Sequence, residues 1–262
     1  MIDIDKIELA AKRLRNAEMT KIPCAPVRDI LGEKDLESAY EVQKKNTQIR
    51  LKSGGRVIGH KIGLTAPIVQ KQLGVDQPDF GLLWHDKEVF SGDKISISKL
   101  MQPKAEAEIA FVLGSGLDKK YLTSGDVLNA VEYVVPSIEI VGSRIRNWDI
   151  KITDTIADNA SASHWVLGYM PMKLHEIDLI NCKMQMKIDG KIVSEGQGSD
   201  CLGSPINALL WLAQKMVNLD SPLKRGDLIL SGALGPMIDV TEGDQIDVKI
   251  EGLGSVSVSF TA

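Results

Sequence analysis

Cysteine is scarce in this chain, which has only three in 262 residues: Cys24, Cys182 and Cys201. Their odd number and wide spacing argue against a disulfide framework. Neither these cysteines nor the four histidines have the paired spacing of zinc ligands, which disfavours a zinc site. Reduced thiols in a cytoplasmic protein are therefore the expected state.

Aromatic residues make up only 5% of the chain, and no block of basic residues is present. Together with a net charge of −4, this composition argues against nucleic acid as the main partner. No apolar run approaches the roughly 20 residues that a helix needs to cross a bilayer. The N-terminus is acidic and has no apolar signal core, so neither an export signal nor a membrane partner is expected.

Residues 1–55 are predicted to form an N-terminal helical cap. Apolar residues recur at helical spacing over residues 4–18, which favours a first helix. Asp35 is a plausible N-cap for a second helix, which Ser53, Gly54 and Gly55 would end.

From residue 56 to residue 262 the pattern changes to short strands separated by Gly and Asp turns. This part is predicted to be a β-rich catalytic core that forms one integrated domain with the cap. The candidate strands are Val57–Leu64, Lys94–Ser98, Glu106–Leu113, Tyr133–Val141, His164–Gly168, Lys183–Ile188, Asp227–Leu230, Gln245–Ile250 and Ser255–Phe260. Residues 248–257 are typical of a β-hairpin.

Two helices are predicted among these strands, Ser124–Ala130 and Pro205–Leu219. The second has Ser204 as its N-cap and a proline at its first position. Its spacing puts Ile206, Leu209, Leu210, Ala213 and Val217 on one apolar face. Because strands and helices do not alternate regularly, a parallel Rossmann sheet is disfavoured. The expected fold is α+β, with a largely antiparallel core like a barrel, roll or sandwich and with peripheral helices.

The segment Pro103–Leu113 is the most informative part of the chain. Its alternating pattern predicts a strand, and residues two apart on a strand share a face. Glu106 and Glu108 therefore point the same way, with Cα atoms about 6.5–7 Å apart. Adjacent carboxylates repel each other, and a divalent cation between them would remove the conflict. From alternation alone, a solvated strand face is an equally good interpretation.

A third carboxylate, Glu139, lies in the apolar segment Pro136–Val141. Ile138 and Ile140 are expected to face the core, which leaves Glu139 on the other face. Three glutamates from two strands are a suitable ligand set for octahedral Mg²⁺ or Mn²⁺, with positions left for water and substrate.

Two further polar residues lie in Gly-rich surroundings. Lys61, between two glycines, could act as an acid or as an electrostatic clamp on an anionic substrate. A lysine that snorkels at a strand end is the more common case. Asp79 could be a general base, although an aspartate beside Pro and Gly is more often a turn former.

Two loops complete the candidate site. Residues 154–163 are small and polar, and their hydroxyl and amide groups could contact a ligand or form an Asx-type loop. Residues 231–236 follow a predicted strand, and such a loop can offer backbone N–H groups to an oxyanion.

Segments that span residues 57–262 together resemble the fumarylacetoacetate hydrolase superfamily, and most closely its hydratase/decarboxylase branch. The matching segments are Gly59–Thr65, Leu73–Gly81, Pro103–Ala110, Pro136–Val141, Ser143–Arg146, Ala157–Ser161, Leu202–Pro205 and Gly232–Met237. The last segment is similar to the form found in hydratases of this branch rather than in decarboxylases.

The resemblance implies a β-rich core of the superfamily's type and a Mg²⁺ or Mn²⁺ ion held by Glu106, Glu108 and Glu139. It also implies a set of residues beside a small 2-oxo acid or dienol substrate, with one of them, Leu73, near the apolar end. The set comprises Lys61, Leu73, Asp79, Ser161, Gly232 and Leu234.

The implied activity is addition of water to 2-hydroxypenta-2,4-dienoate (2-oxopent-4-enoate) to give 4-hydroxy-2-oxopentanoate, a step in meta-cleavage aromatic catabolism. Asp79 is the candidate base for the water, and Lys61 is the candidate proton donor or charge stabiliser. The resemblance also implies a homo-oligomer and allows a complex with a pathway aldolase or decarboxylase.

Three alternatives remain open at this stage. A decarboxylase of the 4-oxalocrotonate type would need a cation for a second carboxylate, and Arg144 or Arg146 could provide it. An acylpyruvate hydrolase would need a base that activates water, but the cap has no clear His-Glu pair. A non-catalytic subunit that stabilises a pathway partner is disfavoured by the intact glutamates and Lys61.

Overall fold

A computed structural model of the chain describes residues 3–66, 70–71 and 77–262. The named helices are α1 Ile4–Thr20, α2 Arg28–Leu31, α3 Leu36–Lys52, α4 Ser124–Ala130, α5 Ile152–Ala157 and α6 Pro205–Asn218. Among these described residues, none of the helices has the length and apolar character needed to traverse a bilayer.

The strands form two mixed sheets that curl into a half-barrel. Their bounds are β1 Val57–Gly63, β2 Asp79–Trp84, β3 Glu88–Phe90, β4 Lys94–Ser96, β5 Pro103–Leu113, β6 Val131–Gly142, β7 Ala162–Leu167, β8 Lys183–Ile188, β9 Lys191–Gln197, β10 Leu228–Leu230, β11 Ile238–Asp239, β12 Gln245–Ile250 and β13 Gly254–Thr261. The larger sheet has the order β2-β1-β10-β5-β6-β7-β3, with β11 also paired to β5, and the smaller sheet has the order β4-β13-β12-β8-β9.

Most strand pairs are antiparallel, as the absence of regular βαβ alternation predicts. The parallel pairs are β1 with β10, β3 with β7 and β4 with β13. The predicted hairpin is confirmed, since β12 and β13 pair from Gln245 opposite Ser259 to Ile250 opposite Gly254. The α+β fold expected from the sequence is confirmed.

The main apolar core lies between the two sheets. Ile109 and Phe111 from β5, Ile138 and Ile140 from β6, and Phe260 from β13 are all buried in it. The opposite face of β5 and β6 is also covered, because Ala110 and Val135 belong to a second apolar cluster there. Polar side chains on that face are therefore removed from solvent.

The N-terminal helices pack against α5. Apolar residues of α1 and α3 share a buried cluster with Ile156 and Ala157 of α5. The Gln43 side chain of α3 donates hydrogen bonds to the carbonyl oxygens of Phe80 (2.9 Å) and Ile156 (3.1 Å). This packing places the cap directly behind β2, the strand that begins at Asp79.

The N-caps predicted for α3 and α6 are confirmed. The Asp35 carboxylate accepts from the Ser38 N–H at the start of α3, and the Ser204 hydroxyl accepts from the Ile206 N–H at the start of α6. The buried face of α6 is rotated from the predicted one, because Ala208, Leu212 and Met216 are buried. Leu209 and Ala213 are buried as predicted, while Ile206, Leu210 and Val217 are only partly buried.

Two expectations about loops were wrong. Residues 79–81 form the start of β2 rather than a turn, because Gly81 allows close contact with another segment and the strand pairs with β1. Residues 152–157 form α5, since the Asp154 carboxylate accepts the N–H groups of Lys151, Val27 and Arg28 at the helix start. The edge strand β9 also had no predicted counterpart.

Candidate active site

Three glutamates converge on the face of β5 and β6 that points away from the main core. The antiparallel register sets Glu106 opposite Glu139, and Glu108 opposite Ser137. One carboxylate oxygen from each of Glu106, Glu108 and Glu139 lies within 4.8 Å of the others. Their exposed fractions are 6%, 0% and 0%, which excludes the interpretation that they line a solvated strand face.

Burial makes ionisation of this cluster costly. It raises the pKa of Glu106 to about 7, with Lys61 opposing the rise and Glu139 adding to it. Burial also raises the pKa of Glu108, and the neighbouring Glu139 and Glu106 raise it further. The pKa of Glu139 is raised by burial as well, against the opposing charge of Lys61. In the described residues, Glu108 Oε1 and Glu139 Oε1 have no hydrogen-bond partner.

This cluster has the chemistry of a divalent-cation site. Oxygen-only donors suit hard cations such as Mg²⁺, Ca²⁺ and Mn²⁺. Burying carboxylates without partners costs several kcal/mol. A divalent cation bound to three glutamates would leave a net charge of −1, and a nearby ammonium can balance that charge. The orphaned oxygens therefore fit a metal ion.

Lys61 supplies that ammonium. It lies on β1 and is 3% exposed, which rules out a lysine that snorkels to solvent. Its Nζ lies 3.1 Å from Glu139 Oε2 and donates a hydrogen bond to the Ala160 carbonyl at 3.0 Å. Burial alone would lower the pKa of Lys61, but the surrounding carboxylates, Glu139 first, raise it above its ordinary value. The side chain therefore remains charged.

Asp79 is the first residue of β2 and lies opposite Gly63 of β1. Its Oδ2 accepts a hydrogen bond from the Thr155 hydroxyl at 3.0 Å, while Oδ1 is buried and has no partner in the described residues. Burial raises the pKa of Asp79, and Lys61 opposes the rise. A Cβ at Gly63 would lie 2.1 Å from Asp79 Oδ1 and 3.3 Å from Lys61 Nζ, so both groups border the same small space.

Ser161 lies at the end of a tight turn that follows α5. It is 4% exposed, and its hydroxyl has no hydrogen-bond partner within the described part of the chain. A small cavity is lined on its polar side by Lys61, Asp79, Glu106 and Ser161. Its other walls are mostly apolar and are formed by Leu64, Val141, Trp148, Ala160 and Met237.

The loop after β10 contacts β5 and the Glu108 carboxylate through its backbone. The Gly232 N–H donates to Glu108 Oε2 at 2.8 Å, and the Leu234 N–H donates to the Ala107 carbonyl at 3.0 Å. These two N–H groups are therefore not free for an oxyanion. The Leu234 side chain belongs to the main core. The roles predicted for Gly232 and Leu234 as substrate contacts stay predictions, and Leu73 lies outside the described residues.

Three polar residues at this site were not assigned individual roles from the sequence. Thr155 orients Asp79 but lies in the segment that was expected to be irregular. Thr65 is buried beside Gly232, and its hydroxyl has no partner among the described residues. The side chain of Asn159 bonds to the backbone of Leu82. Their small polar side chains are common in turns, so sequence alone offered no signal for these contacts.

Comparison with known proteins gives consistent matches over almost the whole chain. The chain is 53% identical to TodF product hydratase of Pseudomonas putida strain F1, over 97% of this chain and 95% of that protein. It is 48% identical to 2-keto-4-pentenoate hydratase of Burkholderia vietnamiensis, over 100% of both chains.

A solved structure is similar as well. It is that of 4-oxalocrotonate decarboxylase from Pseudomonas putida G7, complexed with magnesium and adipate, with a TM-score of 0.93, 31% identity and coverage of 99% of each chain. The family model described as fumarylacetoacetate (FAA) hydrolase C-terminal matches residues 61–261. The chain therefore belongs to the fumarylacetoacetate hydrolase family.

Proposed function

We propose that this chain is a hydro-lyase that adds water to 2-hydroxypenta-2,4-dienoate (2-oxopent-4-enoate) and forms 4-hydroxy-2-oxopentanoate in meta-cleavage aromatic catabolism. The observation that carries the proposal is the buried glutamate cluster, with Lys61 and Asp79 across a small cavity. The hydratase names of relatives at about half identity support it.

Glu106, Glu108 and Glu139 would hold Mg²⁺ or Mn²⁺. When bound, such a cation would polarise the 2-oxygen of the substrate and stabilise negative charge there. The magnesium in the similar decarboxylase structure supports the choice of a hard divalent ion. Lys61 offsets the remaining negative charge of the site and favours binding of a substrate carboxylate.

The reaction needs two proton transfers to carbon and one addition of water. The dienol loses its 2-hydroxyl proton and gains a proton at C5, which gives a 2-oxo-3-enoate that is electrophilic at C4. Water then adds at C4 and loses a proton. Protonation of the resulting enolate at C3 completes 4-hydroxy-2-oxopentanoate.

Asp79 suits the step that removes a proton from water, and Lys61 suits the step that protonates or stabilises the enolate. Thr155 holds one oxygen of Asp79, and the other oxygen, Oδ1, has no described partner and can accept the proton of water. The raised pKa of Asp79 makes it a stronger base than an exposed aspartate. Lys61 remains an ammonium, so it can donate a proton at C3 or stabilise the enolate.

The cavity favours hydration over decarboxylation of a dicarboxylate. Arg144, one candidate for a second carboxylate, is buried and bonded to Asp158, with Nε to Oδ1 at 2.5 Å. Arg146, the other candidate, is exposed on the surface. The wall of Leu64, Val141 and Met237 suits a short apolar tail. Acylpyruvate hydrolysis is the weaker alternative, because no observation at this site favours it.

The same proposal extends to assembly and location. We expect a homo-oligomer, and a complex with the pathway aldolase or decarboxylase would pass the reactive intermediate directly. Cys24, Cys182 and Cys201 are all free thiols, which suits a reducing cytoplasm.

Ultraviolet absorbance of freshly generated 2-hydroxypenta-2,4-dienoate tests the activity. We expect the diene absorbance to fall with wild-type protein and Mg²⁺, and to persist when EDTA replaces the metal. Glu108→Ala should lose turnover, and full activity of that variant would contradict the metal site. Turnover of 4-oxalocrotonate with release of CO₂, but not of the dienoate, would favour the decarboxylase.

A further inference from the structure

The turn that follows α5 is held in an unfavourable backbone conformation. Asn159, Ala160 and Ser161 have φ values of +56°, +50° and +55°. L-residues rarely adopt this left-handed region, and a run of three without glycine is less favourable still. Such a backbone persists only where surrounding contacts determine it, and it is often found at functional sites.

The side chain of Asn159 supplies the central contact. Its Oδ1 accepts from the Leu82 N–H at 2.8 Å, and its Nδ2 donates to the Leu82 carbonyl at 3.0 Å. The amide thus pairs with β2 as a neighbouring strand would. The turn also packs closely on Gly81, where a Cβ would lie only 2.2 Å from the Asn159 carbonyl oxygen.

The same turn places two groups in the candidate active site. The Ala160 carbonyl accepts the 3.0 Å hydrogen bond from Lys61 Nζ, and the Ser161 hydroxyl borders the cavity. We propose that Asn159 is a positioning residue, which fixes this turn on β2 and so aims the Lys61 ammonium at the substrate. The inference rests on the proposed hydration, and Asn159 itself touches no reacting atom.

Arg144 holds the two ends of the turn independently of Asn159. Its guanidinium donates to the carbonyl oxygen of Asp158, before the turn, and to that of Ala162, after it. Its Nε and backbone N–H also bond to the Asp158 carboxylate. Because the ends remain fixed, loss of the Asn159 amide is expected to loosen the centre of the turn without unfolding the protein.

Two substitutions distinguish an effect on the position of Lys61 from an effect on the stability of the protein. Asn159→Ala and Asn159→Gly both remove the amide, but glycine accepts a φ of +56° without strain. The melting temperature should therefore fall less for Asn159→Gly than for Asn159→Ala. If the position of Lys61 limits the rate, kcat falls by a similar factor in both variants, about 10- to 100-fold. KM should stay within about threefold of the wild-type value.

The partition of products gives a readout that does not depend on how much protein is folded. A displaced Lys61 would slow protonation at C3, so more of the unhydrated 2-oxo-3-enoate escapes. We expect NMR to show a higher ratio of this enone to 4-hydroxy-2-oxopentanoate for both variants. Mg²⁺ affinity by calorimetry should match wild type, because the glutamates lie on other strands.

Asn207→Ala is the matched control, since it removes one amide hydrogen bond to a backbone carbonyl, that of Leu202, away from the turn. It should leave kcat and the product ratio unchanged. Wild-type hydration together with unchanged kcat or an unchanged product ratio in the Asn159 variants would overturn this inference alone. Failure of the wild type to hydrate the dienoate would overturn the proposed function and this inference with it.

Discussion

Three buried carboxylates beside one ammonium make the metal-free site unfavourable at the level of single residues. The pKa of Glu106 is about 7 in the folded protein, above its ordinary value of 4.5, chiefly because it is buried. A carboxyl group with a raised folded pKa binds more protons in the folded state than in the unfolded state. Its stabilising contribution is therefore complete below pH 4.5 and is lost as the pH rises through 7.

Glu106→Gln is expected to stabilise the metal-free protein at pH 8 while it weakens metal binding. The glutamine removes a buried charge, which should raise the free energy of unfolding by on the order of 2 kcal/mol. Urea unfolding in EDTA at pH 5 and pH 8 measures this effect, and the gain should be much smaller at pH 5 than at pH 8.

Glu132→Gln provides the control, because Glu132 is an exposed glutamate paired with Lys173 at 2.6 Å. This variant should unfold like wild type at pH 8, because an exposed ion pair contributes little to stability. If Glu106→Gln is less stable than wild type in EDTA at pH 8, the buried charge of Glu106 does not destabilise the metal-free protein.

Asp79→Asn is expected to separate catalysis from metal binding. The asparagine keeps the shape and can still accept the Thr155 hydrogen bond, but it cannot take a proton from water. We expect kcat to fall about 10²- to 10⁴-fold with little change in Mg²⁺ affinity by calorimetry.

Asp86→Asn is a suitable comparison for that variant, because Asp86 is an exposed aspartate that pairs with Arg50 at 2.7 Å. Its kcat should equal that of wild type. A kcat within threefold of wild type for Asp79→Asn would rule out Asp79 as the base.

At the level of elements, the antiparallel pairing of β1 with β2 brings Lys61 and Asp79 to one side of the cavity. Gly63 lies between them in this arrangement, opposite Asp79. The glycine is needed for space rather than for an unusual φ, since any Cβ there would enter the region occupied by Asp79 Oδ1.

Gly63→Ala is therefore expected to lower kcat at least about 10-fold, because its methyl group displaces the Asp79 carboxylate. The measurement is steady-state hydration with saturating Mg²⁺, with circular dichroism to confirm the fold. In α4, Gly125→Ala is the counterpart, since its Cβ meets nothing closer than 3.6 Å. That variant should keep full activity and gain about 0.5–1 kcal/mol of stability. Equal activity of both variants would contradict the close approach at Gly63.

Strands with regular alternation were predictable from sequence, and strands with interrupted patterns were not. β5 and β6 were predicted because their apolar residues follow the two-residue period over many positions. β2 was missed because Asp79 follows Pro78 and precedes Gly81, which are typical of turns. Pairing with β1 and contact with the turn at Asn159 override that local preference.

The sequence predicted which residues belong to the site better than it predicted how they are arranged. Alternation placed Glu106 and Glu108 on one face, but only the apolar cover of Ala110 and Val135 shows that this face is buried. The contact of Lys61 with Ala160 depends on a turn 99 residues away along the chain, and periodicity carries no information about such contacts.

At the level of the whole molecule, we propose that the cap (residues 1–55) and the core (residues 56–262) form one cooperative domain. Gln43 of the cap is hydrogen-bonded to β2 and to α5 of the core. The Arg28 guanidinium of the cap also pairs with the buried Asp154 carboxylate at 2.6 Å. Contacts of this kind couple the folding of the two parts.

Gln43→Ala is expected to lower the stability of the entire chain by about 1–3 kcal/mol, because two buried carbonyl groups lose their donor. Circular dichroism and tryptophan fluorescence should still report one coincident unfolding transition. Gln185→Ala, which removes a surface bond to Glu195, should have a much smaller effect. Two separate transitions in wild type would contradict a single domain.

The most direct test of the proposed function identifies the product by ¹H NMR. The protein is first stripped of metal, and one sample is then supplied with Mg²⁺ while the other is left without it. We predict that 2-hydroxypenta-2,4-dienoate becomes 4-hydroxy-2-oxopentanoate only in the sample with Mg²⁺. Water addition at the same rate in both samples, or conversion that stops at the unhydrated 2-oxo-3-enoate, would contradict it.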